Sequence, residues 1–139
     1  MSYEEKNTWA YLVIAVVVPV VYIAEVLRRL QGTEVTQVGY VRPMLAAIGV
    51  AIALNIAASM VAAMASPKDA GQKDVRDQQI NRRGEHVGFY VMSAGAAVPL
   101  GLALAEADYF WIANALYLAF VLSALGSSIV KIVAYRRGF

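Results

Sequence analysis

Four long stretches of the chain are almost free of charge, and the polar residues gather between them. The stretches are Trp9 to Ala24, extending to Leu27; Pro43 to Pro67; Val87 to Ala105; and Tyr109 to Val130. A hydrocarbon core of ~30 Å is crossed by about 20 apolar residues at ~1.5 Å rise per residue, and each stretch, with its flanks, comes close to that length or exceeds it. None alternates polar with apolar positions, so the pattern of a membrane β-barrel is missing. Lipid offers backbone groups no hydrogen-bond partner, which leaves helices as the spanning form. The pattern predicts an all-α fold, a four-helix transmembrane bundle in a single domain over 1–139. Its helices are expected at about 8–28, 43–66, 86–105 and 109–134.

Composition sharpens this picture. Of 139 residues, 60% are hydrophobic and only 16% charged, against the roughly one-quarter charged of soluble domains. The start, MSYEEKNT, is acidic and runs into a full-length apolar segment without a small-residue cleavage pattern, so the first helix is expected to stay in the mature protein. The absence of cysteine excludes disulfides and thiolate chemistry, and a single histidine excludes a multi-histidine metal site within one chain.

Charge position gives an orientation. If the N-terminus, the central loop and the C-terminus share one face, that face carries Lys6, then Lys68, Lys73, Arg76, Arg82 and Arg83, then Lys131, Arg136 and Arg137. The other face keeps only Arg28, Arg29 and Arg42. The excess marks the first face as cytoplasmic. Trp9, Phe89, Tyr90 and Tyr135 then fall at one interface and Tyr40, Tyr109 and Trp111 at the other, as aromatic belts do. The basic residues sit beside apolar runs, which fits lipid headgroups better than nucleic acid.

The connections differ in kind. The turn near Ala105 to Asp108 is short enough to make helices three and four antiparallel neighbours. Within the central loop, Ser66 and Pro67 are placed to end helix two, and 73–86 begins acidic and ends basic, an order that suits a helix dipole. A short cytoplasmic helix is predicted there, running into helix three. It is expected to be mostly solvated, because only Val75 and Ile80 offer apolar surface. Pro19 before Glu25 and Pro99 before Glu106 hint at a diverged duplication of the two hairpins. Both prolines are expected to kink their helices and to open a small cavity between helices one and three.

Few residues invite a chemical role. Glu25, an acid in an apolar helix, marks an ion or proton site by default, yet helical spacing also offers it Arg28 and Arg29 near the interface. Asn55, with Ser59 one turn on, is expected to seek an interhelical partner such as Ser123, Ser127 or Ser128. Asn114 sits beside an aromatic belt. His86, next to Glu85, is expected to make interfacial hydrogen bonds in preference to binding haem or relaying protons. Small residues recur at Gly49, Ala53 and Ala57, at Gly84 and Gly88, and at Ser123 and Ser127, where they permit close helix approach within the chain or between copies.

Residues 66–91, SPKDAGQKDVRDQQINRRGEHVGFYV, and 111–139, WIANALYLAFVLSALGSSIVKIVAYRRGF, resemble an uncharacterised family of small four-helix bacterial membrane proteins. The shared feature is an Asp-x-Arg-Asp element, here Asp74, Arg76 and Asp77, ahead of a helix that enters the membrane. The resemblance implies the fold and a bacterial inner-membrane location, and implies no activity.

The functional expectation is a non-enzymatic interaction protein, with no cofactor and no nucleic-acid partner. It would be a homo-oligomer or an accessory or sensory subunit of a larger membrane complex. The 66–86 loop, with Asp74, Arg76, Asp77, Arg82 and Arg83, would meet a cytoplasmic protein or anionic lipid. The alternative is a small proton-coupled transporter of cationic or lipophilic compounds using Glu25. Small multidrug resistance proteins also have four helices and an acid in the first, but Glu25 lies closer to the helix end and the charge bias here is one-sided.

Overall fold

The computed structural model describes residues 2–65 and 75–137, apart from the side chain of Thr36. Four helices account for nearly all of them: α1 Tyr3–Leu30, α2 Val41–Ala65, α3 Val75–Leu104 and α4 Tyr109–Arg137. All four are long and apolar enough to cross a membrane. Their surfaces agree with that, since Val17, Val21, Ile52, Met64, Leu100 and Phe120 are among many large apolar side chains left exposed. Such continuous apolar exposure is foreign to a protein surrounded by water.

Local chemistry explains where the helices begin and end. The Ser2 hydroxyl accepts from the Glu5 amide at 3.2 Å, and Glu4 and Glu5 lie in the first turn of α1, where the positive end of the helix dipole favours them. The connection from α1 to α2 turns at Gly32, whose φ of 75° suits a residue without Cβ, and includes a single 3-10 turn at Val35–Gln37. After α3, Ala107 N donates to Leu102 O and Glu106 N to Ala103 O, a C-terminal cap that requires a left-handed residue. Glu106 fills that position at φ 58°. Asp108 then accepts from Phe110 N and starts α4.

Antiparallel neighbours run in the order α2, α1, α4, α3. The α3–α4 contact is the most extensive, α1 packs on α2 and on α4, and α2 shares no extensive contact with α3 although the two are consecutive. One end of the bundle, where α2 begins, is closed by Val18, Tyr22 and Val26 of α1, Val38, Ala47 of α2 and Phe110 of α4. Tyr22 meets the ring of Tyr117 edge-on at 4.8 Å, and Tyr40 meets Phe110 at 5.4 Å.

The region before helix three differs from expectation. Residues 75–86 are helical, but as the unbroken first turns of α3 and not as a separate short helix. Most of its described residues are exposed, as expected, but one face is not. Asp77, Ile80, Gly84 and Gly88, spaced three and four apart, form a buried seam, with Ile80 at 0% exposure. Counting only Val75 and Ile80 as apolar surface missed glycine, which presents backbone for close packing. A methyl group at Gly95 would lie 2.9 Å from Ala119 Cβ, and one at Gly88 3.2 Å from Ser127 Cβ. The small residues of α3 and α4 are therefore spent within the chain. Pro19 and Pro99 are both buried, and α1 and α3 continue past them.

Candidate functional site

Because α2 and α3 stay apart, a cleft opens between α2 on one side and α3 with α4 on the other, with α1 as its back wall. Its two halves differ in chemistry. Toward the end of the bundle that holds the start of α1 and the end of α4 lies a polar chamber of about 630 Å³. Its walls include Glu4, Asn7, Asn55, Ser59, Asn81, Glu85, Ser123 and Lys131. Deeper in, an apolar groove of about 620 Å³ runs among Ile14, Val18, Pro19, Ala47, Ile52, Tyr117 and Val121. Tyr11, Asn55, Phe120 and Ala124 line both halves, so the two are continuous. The cavity expected between helices one and three is instead built by α1, α2 and α4, with Pro19 in its wall.

The chamber wall is fixed by interhelical polar contacts. Lys131 Nζ donates to Glu85 Oε1 at 2.6 Å, while its aliphatic stem lies across Gly84, where a methyl group would sit 2.5 Å from Lys131 Cγ. A side chain at 84 would force the stem to move, and glycine lets it pass straight to Glu85. Ser59 donates to Asn7 Oδ1 at 3.0 Å and ties α2 to α1. Ser123 donates to the Gly88 carbonyl at 2.7 Å and ties α4 to α3. Below the chamber, Arg136 pairs with Glu5 at 3.1 Å.

The residues singled out in the sequence are scattered. Glu25 is held by Arg28 at 2.7 Å and by Arg29 at 2.9 Å, at the opposite end of α1 from the chamber. Asn55 does line the cleft, but its amide donates to Ala51 O of its own helix at 2.9 Å and not to a serine of α4. Asn114 accepts from the Tyr22 hydroxyl and donates to Phe110 O, which joins α4 to α1. The His86 ring stands edge-on to Tyr90 at 4.8 Å, on an exposed surface beside Arg82 and Arg83.

Of the Asp-x-Arg-Asp element, Asp74 lies outside the described residues. Arg76 donates to Tyr135 O at 3.1 Å, and Asp77 is buried and accepts from the Tyr135 hydroxyl at 2.7 Å. These two side chains join α3 to the end of α4. Glu4, Asn7, Asn81, Glu85 and Lys131 were not singled out from the sequence. Each lies near the end of its helix, where polar side chains are ordinary, and only the packing brings them together.

Comparison with protein-family models, with curated proteins and with solved structures gives no match to this chain, and nothing in it bears on the resemblance drawn from residues 66–91 and 111–139.

Proposed function

We propose that this chain is a non-enzymatic membrane protein that crosses the bilayer four times and self-associates through α2. Both termini and the connection between α2 and α3 face the cytoplasm, as the distribution of Lys and Arg favours. One observation carries the self-association. At ~100° per residue, Gly49, Ala53 and Ala57 are centred ~140° around α2 from Ala47 and Ala51, which pack in the cluster with Val18 and Tyr22 of α1. The Gly49, Ala53 and Ala57 positions are exposed, and nothing lies within 4 Å of a methyl group placed at Gly49. A stripe of small residues aimed outward leaves a shallow groove that lipid chains fill poorly and a second helix fills well.

The transporter alternative is less favoured, because Glu25 pairs with Arg28 and Arg29 and lies outside the cleft. Docking of a cytoplasmic protein through Arg76 and Asp77 is likewise disfavoured, since both are engaged with Tyr135. Arg82 and Arg83, which are exposed, are assigned to contact with anionic headgroups. Native mass spectrometry of the chain released from membranes in mild detergent tests the proposal. A homo-oligomer that dissociates in the Ala53→Leu variant is expected. A monomer at every protein concentration contradicts it.

A further inference from the structure

We propose that the cleft between α2 and the α3–α4 pair binds one amphiphile with an ammonium head and a single apolar chain. The head would occupy the polar chamber and the chain the groove. Three features point to this chemistry.

The first is charge. The chamber is walled by Glu4 and Glu85 against a single cation, Lys131, which is already paired with Glu85. A cationic head would balance the remaining carboxylate, whereas an anionic head would meet two acids. The second is aromatic. Tyr11, Phe89 and Phe120 line the same chamber, and ring faces attract ammonium groups. The third is the step in polarity along the cleft. From Ser59 to Ala47 along α2 the cleft extends ~18 Å at ~1.5 Å per residue, and its lining changes over that distance from amide, hydroxyl and carboxylate to almost wholly apolar. That length is a little over half of a ~30 Å hydrocarbon core, the depth of one leaflet. The gap between α2 and α3 supplies a side opening through which such a molecule can enter from the bilayer.

Ammonium heads of this kind occur both on zwitterionic lipids and on free alkyl cations. The proposal is independent of self-association through α2, because Gly49, Ala53 and Ala57 do not line the cleft.

The test is equilibrium binding of radiolabelled dodecyltrimethylammonium to the full chain in dodecyl maltoside micelles. Saturation at one equivalent per chain is expected. Glu4→Gln should weaken binding about tenfold, the size of a lost charge-assisted contact. Among the described residues the Glu4 side chain has no hydrogen bond or ion pair, and Glu5 keeps an acid in the first turn of α1, so this variant tests the charge with little cost to the helix. Ala124→Phe, which fills the junction of chamber and groove, should abolish saturable binding. Competition by single-chain lysophosphatidylethanolamine would identify a lipid as the source, and competition by free alkyl cations alone would identify a soluble one. Partition into micelles without saturation, equal competition by dodecyl sulfate, or unchanged binding in both variants would overturn the proposal. Oligomeric state, read on the same samples, reports separately on self-association.

Discussion

Between α3 and α4 the helices approach closely at Gly88 and Gly95, with Ser123, Ser127 and Ala119 seated against them, and the stem of Lys131 crosses Gly84. Between α1 and α2 no glycine mediates the contact; Ala47 packs near Val18 and Tyr22, Ser59 bonds Asn7, and the rest of α2 faces outward. Small residues recur in α3 of one hairpin and in α2 of the other, yet one hairpin is closed and the other open. The difference lies in where the small residues point. On α3 they face the partner helix, and on α2 the stripe of Gly49, Ala53 and Ala57 faces away from it. Inside a bilayer, where the proposed function puts these helices, burial from lipid gains little, and such direct packing would decide which helices hold together. Equivalent packing of two duplicated hairpins, as the proline spacing suggested, is therefore not what the fold displays.

The comparison can be broken most severely at Gly95. Gly95→Leu drives a side chain into Ala119 and should destabilise the chain by about 3 kcal/mol, the upper range for overpacking, whereas Gly49→Leu should leave the stability of the monomer unchanged. Unfolding in mixed micelles with increasing dodecyl sulfate reads both, and equal effects would erase the distinction between the hairpins. A smaller loss, about 1 to 2 kcal/mol, is expected for Tyr135→Phe, which withdraws the hydroxyl from buried Asp77 while keeping the ring beside Arg76.

Across the α1–α4 contact, Tyr22→Phe removes the bond to Asn114 and should cost about 0.6 kcal/mol, the average for an interhelical hydrogen bond in a membrane, by the same unfolding measurement. A loss as large as that of Gly95→Leu would place the strength of the fold in polar bonds instead of close packing. The smallest effect is expected at Glu25. Its pairs with Arg28 and Arg29 are exposed and local to one helix, so Glu25→Gln should leave both unfolding and ammonium binding at wild-type values.

The four apolar helices were legible because hydrophobic length is a property of each segment alone. Glu25 with Arg28 and Arg29 was legible for the same reason, since i to i+3 and i+4 spacing settles the pairing. The buried seam of Asp77, Ile80 and Gly84 was not, because a polar and a glycine position read as solvated until a facing helix is known. The chamber was the least legible. Glu85 and Lys131 lie 46 positions apart, and their meeting depends on the register of α3 against α4, which Gly84 permits but no local pattern encodes. Asn55 was found as a notable residue and given the wrong partner, because the amide bonds within its own helix and turns its position toward the cleft.

The open face of α2 is most directly tested by disulfide cross-linking in native membranes, which the absence of cysteine from the natural chain makes clean. Single variants Ala53→Cys and Ala47→Cys would be oxidised and the adducts sized. A cross-linked dimer at position 53 and none at position 47, which is buried against α1, is the expected result. Dimers at 47 and not at 53, or at neither, would contradict an α2 that faces a second copy of the chain.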